Sequence, residues 1–509
     1  MAPPTAPEVT PLEIDDTIYI CTAYNDVIAL DAESGLQQWR FHSDIDLKEV
    51  WLPNCRGLAY FRSQAADCPE RIITGTTSAE LIAIDARTGV PCAGFGTKGR
   101  ISLLDGMGDP RPGYYFVSSA PIIVRGKIIV GGAVFDNQYW GEPSGVIRAF
   151  DATTGDLAWA WDMGHPDHKS LPPHGDSYTL STPNSWAPMS ADEALGLVYL
   201  PMGNSEPDVF GAQRRSFDDK YSSSVVALDA LTGDVRWSFQ TVHHDLWDYD
   251  IASAPLLIDI PSSIGIEHAL IQTTKTGELF VLDRVTGAPL SAVEERPAPN
   301  AGAAPEERLS ATQPYSVNMP SFSGPPLTEQ DMWGLTPLDE LWCRIQFKES
   351  RYFGEFTPPG VSPSITYPGT FGGSSWGGVS VDMPRGVMIV NTLRLASRFR
   401  LVPRAEADRL GVKPIEWSKR GETVQAHGAI QAQAGTPYAV EILPFMSPLR
   451  IPCQRPPCSL ATLPSNAAIA TFSRSSGANC RDISRASSEA CSAWINSAFM
   501  AVARSLSGI

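Results

Sequence analysis

The sequence contains no long hydrophobic run and no excess of basic residues. No stretch approaches the roughly 18 consecutive apolar residues that a membrane-spanning helix needs. The first seven residues also lack the basic and apolar regions of a secretory signal. From these features we expect a chain that neither spans a membrane nor carries an export signal. The 39 Lys and Arg residues face 56 Asp and Glu residues, so the net charge of −17 disfavours nucleic acid as a partner.

The nine cysteines include no Cys-x-x-Cys-His motif, so the sequence predicts no covalently attached haem. Cys453 and Cys458 have no histidine close by in the sequence, which disfavours a zinc site there. Cys55 and Cys68 flank a loop-like segment, and we expect them to form a disulfide if the protein folds in an oxidising compartment. Composition alone leaves that compartment open.

A short motif recurs five times: an apolar strand, an Asp, two residues, Ser or Thr, and then Gly. In three copies a Trp follows eight residues after the Asp, namely Trp39, Trp159 and Trp237. A strand, a tight turn and a returning strand that recur in this way are typical of blade-by-blade β architectures. The five copies occupy residues 27–35, 81–89, 146–155, 225–233 and 279–287.

The residue types of the motif suit a hairpin turn. An Asp side chain accepts hydrogen bonds from backbone N–H groups of the turn, and Gly supplies the positive φ that closes it. A Trp on the returning strand can lie flat between adjacent sheets and bury a large apolar area. The sequence therefore predicts an all-β propeller rather than several unrelated domains.

The polar residues with catalytic potential concentrate directly after the fourth copy, in the run His-His-Asp-Leu-Trp-Asp-Tyr-Asp at residues 243–250. So many charged side chains favour a loop that enters a site, because a strand would have to bury half of them. A hydrogen-bonded corner between blades is the alternative. Lys275 precedes an apolar strand and could equally be a solvated strand end. Asn184-Ser-Trp186-Ala-Pro and Gly-Asn204-Ser-Glu-Pro place an aromatic ring and an amide beside rigid turns.

Together, these motifs in this order resemble the pyrroloquinoline quinone (PQQ) dehydrogenases, and most closely the membrane-bound glucose and quinate dehydrogenase branch. The resemblance covers roughly residues 8 to 458. It implies an eight-bladed propeller, of which about six blades are represented. It also implies PQQ and a divalent cation near the central axis, ubiquinone as electron acceptor, and a location at the periplasmic face of the inner membrane.

The resemblance also implies roles for single residues. Asp248 matches the general base that accepts the alcohol proton, with Asp245 as the second choice. Lys275 matches the cation that hydrogen-bonds the reactive quinone carbonyl. Trp186 matches the aromatic floor on which the cofactor stacks, and Ser118 matches a hydroxyl that holds a cofactor carboxylate.

For the cation, the resemblance implies the oxygen ligands Asp136, Asn204 and Asp248. Hard oxygen donors suit calcium or magnesium and disfavour zinc. Asn137 and Asn391 are weaker candidates that would line the same pocket.

The chain departs from the family pattern in three places. It begins inside the propeller, without the expected membrane region. Phe61 occupies a position where the glucose dehydrogenases have a histidine, which disfavours glucose as the substrate. Residues 459–509 become rich in Ser and Ala and contain no further turn motif. We interpret this tail as a change of reading frame near residue 458. The alternative is a genuine tail with a short helix around 488–506.

The sequence thus predicts a partial propeller domain at 1–458 and a separate tail at 459–509. The predicted function is PQQ-dependent oxidation of a sugar, polyol or cyclic hydroxy acid. Two alternatives remain open at this point: a catalytically defective fragment, and a non-catalytic propeller that binds other proteins. An open propeller would leave strand edges unpaired, which favours aggregation or capture of a partner.

Overall fold

All five copies of the motif form the same strand–turn–strand unit in the computed structural model. The structure describes residues 8–46, 50, 53–63, 68–262, 265–416, 430–449 and 451–454, and the backbone of 468–473. In every copy the Asp carbonyl accepts from the Gly N–H at 2.8 or 2.9 Å. The Asp carboxylate accepts from the N–H of the Ser or Thr. Each Gly has a φ between 69° and 82°, so the predicted turn chemistry is confirmed.

The first four copies each lie within a four-stranded antiparallel sheet, and the fifth lies within a three-stranded one. Their strands are β1–β4 (Leu12–Ile14, Thr17–Cys21, Val27–Asp31, Gln37–Phe41), β5–β8 (Ala59–Arg62, Glu70–Gly75, Glu80–Asp85, Arg100–Ser102), β10, β11, β13 and β14 (Ile122–Val124, Lys127–Val130, Ile147–Asp151, Leu157–Trp161), β15–β18 (Ser190–Asp192, Leu197–Pro201, Ser224–Asp229, Val235–Gln240) and β19–β21 (Leu256–Ser262, Gly265–Thr273, Leu279–Asp283).

The rest of the described chain is also mostly β. Strands β9 and β12 (Tyr115–Phe116, Ala133–Val134) form a small pair, as do β22 and β23 (Val293–Pro297, Thr312–Ser316). Two further sheets contain β24, β27, β29 and β28 (Ser364–Thr366, Ser397–Pro403, Tyr438–Pro444, Ile430–Gln431) and β25, β26 and β30 (Val379–Asp382, Val387–Thr392, Ala468–Ser473). The helices are α1 (Ser216–Tyr221), α2 (Pro337–Glu349) and α3 (Arg404–Arg409), with a 3-10 turn at Glu329–Asp331. Among the described residues, no helix has the length and apolarity to cross a bilayer.

The apolar core lies between successive sheets rather than inside any one of them. Buried side chains of the first and second sheets form one cluster, and those of the second and third form the next. The third and fourth sheets, and then the fourth and fifth, pack in the same way. Each sheet therefore depends on its neighbours to bury its faces, as expected of a blade.

The three repeated Trp residues fasten each blade to the next turn. The indole N–H of Trp39 donates to the Ala86 carbonyl at 3.0 Å, and that of Trp159 donates to the Ala230 carbonyl at 2.9 Å. Trp237 makes the equivalent bond to Arg284 at 3.2 Å. Each ring also packs against the turn glycine of the following copy. A Cβ added at those glycines would lie 2.5–2.7 Å from the ring.

The second copy has Ala93 where the first, third and fourth copies have Trp, and a buried arginine makes the corresponding contact. Arg71 donates to the Ala152 and Thr153 carbonyls at 3.0 and 2.8 Å. Ala152 occupies the position of the turn that Ala86 and Ala230 occupy in the other copies. Arg71 also donates to the Cys68 carbonyl of its own sheet. The sequence analysis missed this residue.

Alanine substitutions at two turn glycines should separate the cost of a strained backbone from the cost of a clash with the Trp ring of the preceding blade. Gly233 and Gly35 have φ of 71° and 69°, but a Cβ at Gly233 would lie 2.5 Å from the Trp159 ring, whereas one at Gly35 meets nothing within 4 Å. We expect Gly35→Ala to cost about 1 kcal/mol of unfolding free energy, and Gly233→Ala to cost about 1–3 kcal/mol more. Urea unfolding followed by circular dichroism measures both. Equal costs would show that the ring contact contributes nothing.

The predicted disulfide between Cys55 and Cys68 is wrong. Both cysteines are oxidised, but Cys55 bonds Cys21 and Cys68 bonds Cys92. Strand β5 separates Cys55 from Cys68, which places Cys55 against the end of β2 and Cys68 against its own sheet. Cys453, considered above as a zinc ligand, bonds Cys343 of helix α2.

The predicted division at residue 458 stays a prediction. Residues 455–467 and 474–509, which include the proposed frame change and the predicted helix at 488–506, lie outside the described residues. Within the tail, the structure describes only the backbone of Ala468–Ser473, which pairs in parallel with Val387–Thr392. The eight-blade count likewise stays a prediction.

Candidate active site

The loops that join the blades converge on a cavity of about 210 Å³. Four of the residues predicted to form the site line it together: the loop after β18 supplies Asp248, the turn between β20 and β21 supplies Lys275, Trp186 lies before β15, and Asp136 follows β12. Ser118 lines the same cavity. Among the predicted residues alone, the structure thus brings together positions up to 157 apart in the chain, from Ser118 to Lys275.

Lys275 is buried and faces two carboxylates. Its ammonium group donates to Asp248 Oδ1 at 2.7 Å and to the Asp248 carbonyl at 2.8 Å, and it lies 3.4 Å from Asp250 Oδ2. Burial disfavours the charged amine, but Asp248 and Asp250 outweigh that effect and raise the pKa of Lys275. Lys275 is therefore a positive charge fixed at the wall of the cavity, and the prediction of a solvated strand end does not describe it.

The turn that carries Lys275 is held by backbone packing. The Gly277 N–H donates to the Thr274 carbonyl at 3.0 Å, and the Lys275 carbonyl accepts from Gly373 at 2.6 Å. A Cβ at Gly372 would lie 2.5 Å from Lys275 Cγ, so only glycine allows this loop to press against the lysine stem.

Asp250 lies between Trp186 and the acidic residues behind it. Its Oδ2 accepts from the Trp186 indole N–H at 2.9 Å, and its Oδ1 accepts from the Asn204 backbone N–H at 2.7 Å. Because Asp250 fixes the indole edge, it positions the Trp186 ring. The sequence analysis did not select Asp250, although its place two residues after Asp248 in the acidic run was an available signal.

Arg56 is a second cation that the sequence analysis missed. Its guanidinium donates to Ser118 Oγ at 2.7 Å, pairs with Glu8 at 3.1 Å, and lies 5.2 Å from the centre of the Trp186 ring. Ser118 in turn donates to the Trp186 carbonyl. The Oδ1 atom of Asn54, which also lines the cavity, is buried without a hydrogen-bond partner among the described residues. Charged and polar groups therefore surround the Trp186 ring and suit a planar ligand with carboxylate groups.

Five carboxylates, three of which line the cavity, form two overlapping triads. Asp136, Glu206 and Asp208 offer oxygens within 4.8 Å of one another, as do Asp208, Asp248 and Asp250. Burial, followed by repulsion from Asp250, raises the pKa of Asp136 to about 7. Burial and neighbouring carboxylates also raise the pKa values of Glu206 and Asp208 well above their usual range.

So many buried carboxylates require a compensating cation or protonation. Burial raises the pKa of Asp248 too, although the Lys275 ammonium group acts against it. Lys275 and Arg214, which acts on Asp208, do not balance five carboxylates. The donor set consists of hard oxygens, and it therefore fits calcium or magnesium.

The other predicted cation and pocket residues are placed differently. Asn204 is buried behind Asp250, where its Nδ2 donates to the Asp208 and Asp245 carbonyls and its Oδ1 accepts from its neighbour Ser205. Asn137 is buried and donates to Asp208 Oδ2 at 3.0 Å. Neither residue lines the cavity.

Three further predicted residues lie outside the cavity lining. Asn391 is exposed on β26. Phe61, on which the argument against glucose rested, packs against the core between the second and third sheets. Asp245 accepts from the backbone N–H groups of Trp247 and Tyr249 and from the Ser223 hydroxyl. These hydrogen bonds hold the loop in shape. The alternative of a hydrogen-bonded corner between blades therefore describes Asp245, in the first half of the run at 243–250.

His244 belongs to the same corner. It is 9% exposed, with Nδ1 2.7 Å from Asp219 and Nε2 3.1 Å from Glu307. Burial alone would lower the pKa of His244, but the hydrogen bonds to the two carboxylates outweigh it and raise the pKa. A raised pKa in the folded state means that the charged imidazole stabilises the fold below the unfolded value of about 6.5. This contribution is lost as the pH rises through the folded-state pKa.

We expect His244→Gln to destabilise the protein by about 2 kcal/mol at pH 6 and by clearly less at pH 9. His268→Gln is the control, because His268 makes an exposed pair with Asp259 at 2.8 Å and should change stability by about 0.5 kcal/mol or less. Urea unfolding at both pH values gives the two differences. A His244→Gln cost that grows with pH would contradict the expected sign.

Comparison with known proteins identifies the family. The sequence model of the family described as the PQQ glucose/ethanol/alcohol dehydrogenase β-propeller domain matches residues 2–489. The glycerol dehydrogenase large subunit of Gluconobacter oxydans is 44% identical over 468 residues, which are 90% of this chain and 63% of that protein. Quinoprotein glucose dehydrogenase of Escherichia coli is 41% identical over 88% of this chain and 57% of its own length. The quinate/shikimate dehydrogenase (quinone) of Acinetobacter baylyi is also 41% identical, over 89% of this chain and 58% of its own length.

The fold agrees with these matches. Quinohemoprotein alcohol dehydrogenase from Comamonas testosteroni superposes with a TM-score of 0.55 at 21% sequence identity, over 78% of this chain and 53% of that chain. The all-β propeller class predicted from the repeats is thereby confirmed. The chain spans about three fifths of the length of the curated relatives that it matches. It belongs to the PQQ-dependent glucose/ethanol/alcohol dehydrogenase β-propeller family.

Proposed function

We propose that the protein oxidises an alcohol group of a polyol, sugar or cyclic hydroxy acid with PQQ and a calcium or magnesium ion. The observation that carries this proposal is the buried pair of Lys275 and Asp248, 2.7 Å apart in a cavity that Trp186 also lines. A non-catalytic scaffold has no need to bury an ammonium group and a set of carboxylates around one cavity. The names of the relatives, which cover glycerol, glucose and quinate or shikimate, support this substrate class.

The residues present fit the cofactor. Bound PQQ would supply the acceptor for the hydride that leaves the alcohol carbon. Trp186 would provide a flat aromatic surface, held in orientation by Asp250, and Arg56 with Ser118 would bind a carboxylate. Lys275 would donate a hydrogen bond to a carbonyl oxygen and stabilise negative charge there. Asp136, Glu206 and Asp208 would hold the cation together with Asp248 or Asp250.

Asp248 is the residue best placed to accept the alcohol proton. Its carboxylate lines the cavity, whereas Asp245 is occupied by three hydrogen bonds from the loop. The Lys275 ammonium group favours the ionised form of Asp248, which is the form that accepts a proton. A bound divalent cation would act in the same direction.

We extend the proposal to the electron acceptor and the location. Ubiquinone as acceptor and the periplasmic face of the inner membrane are the implications of the family resemblance, and the word quinone in the name of one relative agrees with the former. Three disulfides support an oxidising compartment.

Reconstitution tests cofactor binding apart from turnover. We expect PQQ with calcium or magnesium to raise the melting temperature of the purified chain and to shift the absorbance of the cofactor. Trp186→Ala should abolish both effects, whereas Trp342→Ala, on the exposed side of α2, should leave them unchanged. Glycerol, quinate and glucose are then compared in dye reduction. A correctly folded sample with no cation-dependent shift would overturn the proposal, and binding without turnover would identify a catalytically defective chain.

A further inference from the structure

A second cavity, of about 340 Å³, lies outside the candidate active site and shares none of its lining residues. Its volume is in the range of small-molecule sites, which runs from about 300 to 1,000 Å³. Strands β22 and β23, the turn before β21 and the segments on either side of α2 contribute its walls. Its polar lining includes Glu278, Arg296, Tyr315, Ser321, Ser323, Tyr352 and Glu355.

One turn connects the two cavities. The segment from Thr274 to Glu278 is closed by a hydrogen bond from the Thr274 hydroxyl to the Glu278 carbonyl at 2.9 Å. It places Lys275 in the candidate active site and Glu278 in the second cavity. The Phe322 N–H donates to the Gly277 carbonyl at 2.7 Å, so the wall that carries Ser321 and Ser323 is fixed to this turn.

The charged groups of the cavity oppose an ionic ligand of either sign. Glu278 and Glu355 lie close enough to repel each other, and together they would repel an anion. Arg296 acts on both carboxylates and stacks 4.5 Å from the centre of the Tyr315 ring, so it opposes a metal cation. Burial raises the pKa values of both carboxyl groups, and repulsion from Glu278 raises that of Glu355 further, which disfavours the doubly ionised pair that a metal cation would need.

The same groups suit a neutral ligand with many hydroxyls. Carboxyl oxygens accept from hydroxyl groups, the Arg296 guanidinium and the serine hydroxyls donate to them, and aromatic faces pack against C–H groups. Glu278 is already fixed by the Ser316 backbone N–H at 2.9 Å, and Tyr352 accepts from the Leu327 N–H at 3.2 Å. The wall is therefore held in place before a ligand binds.

We propose that this second cavity binds one small neutral polyhydroxylated molecule, of the sugar or polyol class, at a site distinct from the one that contains Lys275. The proposal does not depend on the proposed reaction, because binding at this site needs neither PQQ nor the active-site cation.

Calorimetry and saturation-transfer NMR with D-glucose as the probe test the proposal on the cofactor-free full chain. We expect Glu355→Ala, and Ser321→Leu which fills the cavity, each to weaken glucose binding at least tenfold. Asp248→Asn, in the other cavity, should leave the binding constant of this site unchanged. Circular dichroism shows whether each variant folds, and Ser321→Ala, which removes the hydroxyl without filling the space, is the matched control for Ser321→Leu.

Four results would overturn the proposal. The first is glucose binding that neither variant weakens in folded protein, and the second is the absence of any glucose binding. The third is binding of calcium chloride alone that Glu355→Ala abolishes, because this would identify a metal site. Loss of glucose binding in Asp248→Asn alone would place the sugar in the candidate active site. None of these results bears on PQQ binding, so failure of this proposal and failure of the proposed function are distinguishable.

Discussion

Replacing Asp248 with Asn is expected to reduce alcohol-dependent dye reduction by the reconstituted protein by about 10²- to 10⁴-fold. The neutral amide cannot accept the alcohol proton, and it is a poorer ligand for a hard cation. The substitution keeps the size of the side chain, and the Lys275 ammonium group can still donate to the amide oxygen and to the residue 248 carbonyl. We therefore expect the variant to fold, which its melting temperature shows, and to have a kcat lowered by the stated factor.

Asp245→Asn is the matched comparison within the same loop. Asp245 accepts from two backbone N–H groups and from Ser223. In the Asn variant an amide NH₂ group replaces one oxygen, and this donor would face an N–H or O–H donor instead of an acceptor. This variant should lose about 1–3 kcal/mol of stability and retain kcat per folded molecule within tenfold. The opposite pattern, with Asp245→Asn inactive and Asp248→Asn active, would show that Asp245 is the base.

Arg71→Met should destabilise the protein by roughly 3 kcal/mol or more, because it leaves the buried carbonyls of Cys68, Ala152 and Thr153 without their donor. Arg62→Met in the adjacent strand is the control. Arg62 pairs with Glu70 at 3.1 Å with a side chain that is 65% exposed, and its loss should cost about 0.5 kcal/mol or less. Urea unfolding of the two variants gives both values. A similar cost for both would show that Arg71 does not fasten the second blade to the third.

The repeats were predictable because their turns are local. An Asp, a Thr and a Gly within five residues determine the hydrogen bonds of the hairpin, and the sequence displays them side by side. The Trp at a fixed distance could likewise be assigned to the returning strand. Arg71 could not be found in this way. Two of its partner carbonyls, those of Ala152 and Thr153, belong to a turn about 80 residues further along the chain, and the sequence does not show which backbone carbonyls a side chain will meet.

The same limit applies to the site. Asp248, Lys275 and Trp186 were found because they lie in motifs that resemble a known family. Arg56 stands alone between a cysteine and a glycine, and only the folded chain brings its guanidinium to Ser118. Glu206 and Asp208 flank Pro207 in a segment where the sequence analysis selected the amide of Asn204. Their role follows from the proximity of their oxygens to those of Asp136 and Asp248, which residue spacing does not encode.

The contact between each repeated Trp and the next turn uses a ring on one side and, on the other, a glycine and a backbone carbonyl. Neither partner in the turn carries a side chain into the contact, so the contact does not depend on which residues fill the rest of the turn. Exchange of the other turn residues between relatives therefore leaves this contact unchanged, provided that the Trp and the Gly are retained. The exposed turn residues can diverge while the contact that joins one blade to the next is kept.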